Sequence, residues 1–405
     1  MKRRIAFALD AYLPSTYTWI YNMYRNIDRF DVLFYSACYE SHSAFPLRAR
    51  DSIYMCPGYE KKGSNILRKF IGRALRIALF ESGVGCLYFA WIGRKLSIKL
   101  IHGHFAHVAW RYLRVARLLH IPLVVSFYGY DYDVILNRNP SWIRRYRMLF
   151  EKAALILSEG EFGRNKLIKR GCRPEVVKVH HLGVDVGSIP FKIREKEHND
   201  NLRLVQIANF TEKKGHAVLI ESMRLLEKEG YGNQLHLTLI GNGPTRKKIM
   251  DLVAKYKLGK RVAFVNQLPY NELHSELLLH HVFVHPSITA PDGDCEGGAP
   301  VVLLDAQATG MPVISTFHCD IPEEIIHGQT GFLVNEMDAK MLAEAVKQFI
   351  INPKLISDFG VSARSHVEKN YSAVKQAAAL TDLYDALLSL PSKASVANHI
   401  LHVTA

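Results

Sequence analysis

From Pro286 to Thr316 the chain reads PSITAPDGDCEGGAPVVLLDAQATGMPVIST, and this stretch leaves few folds open. It runs as a strand end, a Gly-rich acidic loop, a helix, a tight stop and a second strand. Pro300 suits the first turn of the helix, because proline there forfeits an N–H that has no partner inside the helix. Gly310 stands where a helix C-cap belongs, and Pro312 prevents continuation. Val313 to Ser315 then reads as a buried strand. Two strands joined through a helix run parallel.

The rest of the chain repeats this alternation. Short apolar runs at Ile5–Leu9, Val32–Tyr35, Leu100–His102, Leu123–Phe127, Leu155–Leu157 and Val177–His180 alternate with helical periodicity around Ile20–Ile27, Ile66–Phe80, His107–Leu119 and Arg144–Ala154. Residues 186–201, VGSIPFKIREKEHNDN, are polar and charged and break the pattern. The alternation then restarts with strands at Leu202–Asn209, Leu235–Ile240, Val262–Val265, Val282–His285 and Val313–Thr316. The expectation is an α/β protein of two doubly wound, Rossmann-like domains with a cleft between them. Residues 1–188 form the first, 189–201 a linker and 202–370 the second. Residues 371–390 form a C-terminal helix expected to pack back on the first domain, and 391–405 a weakly ordered tail.

Charge is unevenly spread. The net charge is +14, yet residues 1–190 carry 30 lysines and arginines against 14 aspartates and glutamates, and the remainder 22 against 24. The N-terminal half therefore suits an anionic partner, whether nucleic acid, anionic lipid or a phosphorylated lipid carrier. Lys61–Arg76, KKGSNILRKFIGRALR, is basic and amphipathic. It fits a helix lying on an anionic membrane surface and equally an ordinary solvated helix. MKRRIAFALD imitates a signal peptide, but its apolar run stops at Asp10, so it reads as a first strand. The least polar stretch, Ile77–Ile92, contains Glu81 and is no membrane span. The six cysteines form no CxxC pair, so spacing signals neither a zinc site nor a disulfide framework and favours a reducing compartment.

Three strand-to-helix turns of the second half carry ligand chemistry. Glu296 precedes Gly297, Gly298 and Ala299. Free backbone N–H groups at such a turn suit an anion, and a carboxylate beside them suits hydroxyl groups. A ligand with both features is a nucleotide sugar. Lys214, immediately before a helix start, can neutralise a diphosphate, although a solvated lysine pair explains it as well. Gly241-Asn242-Gly243-Pro244 permits close backbone approach; alone it marks only a strand–helix joint. His102 and His107 read as structural histidines, whereas His104 can reach a sugar or acceptor. Tyr12, Tyr17, Trp19, Tyr21 and Tyr24 offer stacking surface or core packing.

These pieces together resemble retaining glycosyltransferases of family 4, with the two-domain GT-B fold. The matching segments are EKKG at Glu212–Gly215, GNGP at Gly241–Pro244, HPS at His285–Ser287, EGGAPVVLLDAQATGMPVIST from Glu296, GFLV at Gly331–Val334 and HHLGVDV at His180–Val186. In the first half they are YLPSTYTWIY, IHGHF at Ile101–Phe105 and SFYGYD at Ser126–Asp131. The EGGAP form is closest to bacterial exopolysaccharide enzymes such as those building colanic acid. The resemblance implies that Glu296 holds the donor sugar's hydroxyls and that Lys214 stabilises the departing diphosphate. It implies that Gly215, Gly241, Gly243, Gly297, Gly298 and Ala299 meet the nucleotide, that Asp305 contacts the ribose, and that Val265, Asn266 and Gln267 read the base. Asp131, Tyr128, Tyr17 and His104 would face the acceptor. No metal or other cofactor is expected, with Lys214 and helix N-termini carrying the charge.

The chain departs from the family pattern at three positions. Asp305 replaces the second glutamate, one residue further from Glu296 than usual. Asn209 replaces the phosphate-binding arginine, leaving Lys214 as principal cation. Tyr128 replaces a strand-end histidine and is a poor proton acceptor at neutral pH. A front-side displacement tolerates that loss, since the departing phosphate oxygen can take the acceptor's proton. The resulting expectation is a cytoplasmic, membrane-peripheral enzyme moving a hexose from a UDP- or GDP-sugar to a lipid-linked saccharide. Its setting would be exopolysaccharide or lipopolysaccharide biosynthesis. The departures also suit an inactive sugar-nucleotide-binding partner. Nucleic-acid binding explains the basic half but leaves Glu296 and Lys214 without purpose, and a sugar-nucleotide epimerase is a lesser alternative.

Overall fold

The computed structural model describes residues 2–13, 17–39, 45–55, 84–197 and 200–389. Lys61–Arg76 and the tail from Pro391 lie outside them. Two compact units emerge. One takes residues up to Leu182 and from Ala373 onward, and the other is Gly183–Ser372.

The first unit is a seven-stranded sheet. Its strands are β1 (Arg3–Tyr12), β2 (Phe30–Tyr39), β3 (Ser52–Met55), β4 (Ile98–His104), β5 (Leu123–Phe127), β6 (Leu155–Ser158) and β7 (Val177–Val179), in spatial order 3-2-1-4-5-6-7. Every pairing is parallel. β1 shows why. Ile5 to Leu9 are all buried, odd and even residues alike, because both sheet faces are covered. Ala6 and Ala8 join Tyr35, Ile101 and Val125 on one face; Ile5, Phe7 and Leu9 join Phe34, Leu100 and Val124 on the other. The second face is closed by the last described helix, Ala373–Ser389, through Ala377, Leu380 and Tyr384. Full burial of side chains of this size contributes about 1.5–3 kcal/mol each.

The second unit has six strands, β8 (Leu202–Ile207), β9 (Leu235–Ile240), β10 (Val262–Val265), β11 (Val282–His285), β12 (Val313–Thr316) and β13 (Gly331–Val334), in order 10-9-8-11-12-13. All pairings are again parallel. The strand order reverses between β8 and β11, as it does between β1 and β4. Ligands of such sheets bind beyond the carboxyl ends of the strands at that switch point.

Residues 189–201 are not a linker. Ile189, Arg194 and Lys196 are buried within the second unit. Arg194 donates through Nε to His280 O at 2.8 Å, through Nη1 to Thr309 O at 2.6 Å, and through Nη2 to Leu277 O at 3.1 Å and Thr309 Oγ1 at 2.9 Å. Leu277 and Thr309 end two helices whose last carbonyls attract a cation. The charge that read as solvation is thus a fastening, and the first unit's continuous part ends at Leu182 rather than at residue 188.

Candidate functional site

The carboxyl ends of the second unit's strands are tied together by their loops. After β8, the Phe210 amide donates to Asn242 O at 2.9 Å, joining the turn that follows β9, and Gly241 N–H donates to Val265 O at 3.2 Å, joining the end of β10. Ile288 N–H donates to Lys213 O at 2.9 Å, joining the loop after β11. Thr316 Oγ1 donates to Ser287 O at 2.6 Å, joining β12. This lattice holds Gly215 at φ +66°, where a Cβ would stand 1.8 Å from Pro286 O. Only glycine allows that approach. The same contact sets the preceding residue, Lys214, against the loop after β11.

Lys214 and Glu296 therefore meet. The ammonium lies 2.8 Å from both carboxylate oxygens, with side chains 16% and 7% exposed. Ser287 Oγ donates to Glu296 Oε1 at 2.8 Å, and His285 Nε2 stands 3.6 Å from it. Burial would raise the Glu296 pKa, but Lys214 and His285 outweigh it and hold the carboxyl well below its usual range. His285 itself is held neutral by burial, which depresses its pKa. The Glu296 amide donates to His318 Nε2 at 3.1 Å, while His318 Nδ1 lies 2.7 Å from Glu336 Oε1. Glu336 Oε2 in turn accepts from the Thr289 amide at 2.6 Å. A charged, partly exposed ion pair at a switch point can exchange its partners: the ammonium for phosphate oxygens, the carboxylate for hydroxyl donors.

Other residues singled out in the sequence fall around this pair with differing fates. Gly297 and Gly298 are buried in a bend, and the helix beyond begins only at Val302, so the glycines precede the helix rather than opening it. Ala299 is half-buried between them and the helix. Asn209, Asn266 and Gln267 are exposed beyond the strand ends, and Val265 is half-buried. Gly241 at φ +141° and Gly243 at φ +153° lie against the carbonyls of Ala208 and Phe210. Asp305 is 2% exposed, and its Oδ1 accepts from Tyr270 OH at 3.0 Å and faces His274 Nε2 at 2.9 Å. Arg246, which spacing did not single out, lies over the rings of Phe210 and Phe264, 5.9 and 5.6 Å from their centroids. Lys213 binds Asp294 Oδ1 at 3.0 Å and Cys295 O at 3.1 Å.

In the first unit, three acceptor-side expectations are corrected. Asp131 is fully buried, its oxygens accepting from the amides of Ala106 and Tyr128, each at 3.1 Å. It ties two chain segments together and offers no oxygen to an acceptor. His104 is also fully buried, 2.7 Å from Tyr128 OH, and burial depresses its pKa to about 3. Tyr128 is only 6% exposed. All three side chains are buried, His104 at the end of β4 and Tyr128 and Asp131 at the short helix that follows β5. Tyr17 stays half-buried, its ring 5.4 Å from Phe105 and 5.2 Å from Trp19. Phe105 itself sits at φ +73°, a strained value for a non-glycine residue. The charged cluster exposed at this edge is instead Asp10, His107 and Arg111. Asp10 bonds both partners and is 42% exposed. His107 is hydrogen-bonded to Asp10. Burial would lower its pKa, but the hydrogen bond to Asp10 and the charges of Asp10 and Asp131 raise it to about 9.

Comparison with known proteins identifies the family. A model described as "Glycosyl transferases group 1" matches residues 189–366, and one described as "Glycosyltransferase Family 4" matches residues 86–188. The amylovoran biosynthesis glycosyltransferase AmsK of Erwinia amylovora is 32% identical over 278 residues, covering 68% of this chain and 67% of the relative. The chain belongs to glycosyltransferase family 4. WcaL of Salmonella typhimurium, named as a colanic acid biosynthesis glycosyltransferase, is 34% identical over 265 residues, which is 64% of this chain and 63% of that protein. The match thus spans a little under two thirds of WcaL. Anabaena Alr3699/HepE, solved in complex with UDP and glucose, superposes with a TM-score of 0.73 at 14% identity, covering 96% of this chain and all of that one. A sucrose-phosphate synthase from Thermosynechococcus elongatus gives 0.73 at 17% identity, again over 96% and 100%. The family 4 chain therefore has the GT-B fold, two Rossmann-like parallel sheets. Among the described residues no helix is long and apolar enough to cross a membrane.

Proposed function

We propose that this glycosyltransferase moves a hexosyl group from a UDP- or GDP-sugar to a lipid-linked saccharide, with retention of anomeric configuration, in exopolysaccharide or lipopolysaccharide biosynthesis. The observation that carries the reading is the Lys214–Glu296 pair at the switch point between β8 and β11. The names of AmsK and WcaL support the polysaccharide setting, and the ligands in the HepE structure support a nucleotide-sugar donor.

In this reading the donor's diphosphate draws the Lys214 ammonium, and the sugar hydroxyls donate to Glu296. The carboxylate stays ionised because His285 and Ser287 remain beside it. Charge develops on the departing phosphate oxygen, and Lys214 stabilises it where it forms. That oxygen also takes the acceptor's proton, so no protein base is required and the buried His104–Tyr128 pair can stay structural. Asp305 meets the ribose through the oxygen not shared by Tyr270 and His274. Asn266 and Gln267, exposed beyond β10, would read the base edge. The cation is supplied by Lys214 with no metal, so transfer persists in chelator.

Peripheral attachment to the cytoplasmic face of a membrane would use the basic first unit. Charge reversal across Lys61–Arg76 then lowers sedimentation with anionic vesicles, and unchanged sedimentation overturns that attachment. The transfer itself is tested by incubating purified protein with individual UDP- and GDP-sugars and membrane lipid extract. The expected result is release of nucleoside diphosphate with labelled lipid product of retained configuration, both lost in Glu296→Gln. Donor binding without transfer or slow hydrolysis would instead indicate the inactive binding partner.

A further inference from the structure

Spacing hid a cluster that the fold assembles. Cys295 ends the loop after β11, and His318 and Cys319 follow β12. The two Sγ atoms and a ring nitrogen of His318 all lie within 4.8 Å of one another. Cys295 and His318 are buried, at 7% and 2% exposure, and Cys319 is half-buried. Cys319 is held at φ +49°, a left-handed value that a β-substituted residue adopts only under restraint. Cys295 is held through its carbonyl by Lys213 at 3.1 Å. The backbones of both cysteines are therefore constrained before anything binds.

The hydrogen bonds assign the tautomer of His318. Its Nε2 receives the Glu296 amide at 3.1 Å, so Nε2 carries a lone pair. Its Nδ1 then carries the proton, donated to Glu336 at 2.7 Å. A carboxylate behind one ring nitrogen, with the other presenting its lone pair to thiols, is how metal-bound histidines are oriented and made more basic. Cys319 Sγ lies 3.2 Å from that same Nε2. Two sulfurs and one imidazole are soft-to-borderline donors that favour zinc over magnesium or calcium. Zinc takes sulfur at about 2.3 Å and nitrogen at about 2.0–2.1 Å in a tetrahedron, which sets ligand atoms about 3.5–3.8 Å apart. The widest pair closes by about 1.3 Å at most, and the 3.2 Å pair of Cys319 Sγ and His318 Nε2 opens slightly.

We propose that Cys295, His318 and Cys319 form a zinc site with its fourth corner open to water, adjoining Glu296 and distinct from the Lys214 chemistry. Binding replaces two thiol protons by one Zn2+, and both protons pass to solvent. It also takes the Nε2 lone pair from the Glu296 amide. Loading therefore frees the amide of the residue that faces Lys214. The site stands on geometry alone and does not depend on the transfer reading.

The test uses the full chain, reduced and stripped of metal. Titration with Co2+ reports sulfur ligation through thiolate-to-cobalt charge-transfer absorption and tetrahedral geometry through visible bands. Zn2+ affinity follows by competition with a chromophoric chelator. One equivalent with both signatures is expected, with about two protons released. Cys319→Ser and, independently, Cys295→Ala each remove it, while Cys86→Ser leaves it. Glu336→Gln weakens Zn2+ by about 10–100-fold without removing the thiolate bands. Unchanged Co2+ spectra in both Cys319→Ser and Cys295→Ala would overturn the site. So would a stripped, reduced protein that takes up no metal and instead loses two hydrogens on mild oxidation, which marks a disulfide pair.

Discussion

Lys214 and Glu296, 82 residues apart in sequence, face each other symmetrically, each carboxylate oxygen 2.8 Å from the same ammonium. Before ligand arrives, the two groups that read as donor contacts satisfy one another. A ligand must part them, and only one carrying both an anion and hydroxyl donors repays both sides. This pairing carries most of what can be measured about the site.

Removing one partner leaves the other charged, largely desolvated and short of a counter-ion. Lys214→Ala is expected to lower stability by about 1–3 kcal/mol, and Lys214→Ala with Glu296→Gln together by less than the sum of the two. Chemical denaturation of the two singles and the double checks this, and strict additivity refutes the coupling. Lys214→Ala should also weaken nucleoside diphosphate binding more than nucleoside binding, measured by calorimetry. Equal losses contradict the phosphate contact.

The Glu296 carboxyl is held below its ordinary value of 4.5. A depressed folded-state pKa means the unfolded state binds protons first as pH drops. Its contribution is present above about pH 4.5 and is lost as pH falls through the lower folded value. Glu296→Gln removes that part of the acid sensitivity, read as a flatter dependence of melting temperature on pH on the acid side of pH 5.

His107 gives the opposite sign. Its pKa rises from 6.5 to about 9, so its contribution is fully present below pH 6.5 and is lost as pH climbs through about 9. Asp10, held down to about 2 although burial pushes it up, stays ionised throughout. Asp10→Asn is expected to bring the His107 ring titration, followed by NMR, back toward neutrality. A midpoint still near 9 would show that Asp131 alone sustains it.

Gly215→Ala forces a Cβ onto Pro286 O, whereas Gly230, at φ +87°, has nothing within 4 Å of its Cβ position. Gly230→Ala should cost about 1 kcal/mol, the left-handed term alone, and Gly215→Ala distinctly more. The second change should also impair donor binding by displacing Lys214. Equal costs would mean that the approach to Pro286 is not tight.

Asp131→Asn tests the corrected acceptor-side assignment. An amide cannot accept at both ends, so one of the Ala106 and Tyr128 amides loses its partner, at about 1–3 kcal/mol. Thermal melting should fall while the KM for donor stays unchanged. A loss of kcat with full stability would restore Asp131 to the chemistry.

Lys214 and Glu296 were legible in the sequence because their turns carry residue types with little structural reason to be there, a lysine and an acid beside glycines. The alternating apolar runs likewise announced both parallel sheets. The supporting shell was not legible. His285 and Ser287 reach Glu296 from the end of β11 and His318 from beyond β12, with Glu336 behind His318, and polar residues at strand ends are common without a role. His104, Tyr128 and Asp131 misled for the complementary reason: spacing places a residue at or just past a strand's end but says nothing of whether its side chain is buried there. Arg194 misled because a charged run looks solvated until its guanidinium is seen to donate to the carbonyls of His280, Leu277 and Thr309 and to the Thr309 hydroxyl. Cys295 and Cys319 lie too far apart along the chain for any spacing rule to pair them.

The helix Ala373–Ser389 has one more consequence. Tyr384 is wholly enclosed and bonded to His102, and Arg29 grips Thr381 and Asp382 from the same helix. β1 and β4, which share that core, thus lack part of their covering until this helix is made. Gly183–Ser372 holds its own sheet and core, so it can be finished while the portion synthesised before it still waits. A chain cut short before Ala373 would leave a bare apolar face on the older portion, an invitation to chaperones and proteases, beside a younger portion already complete.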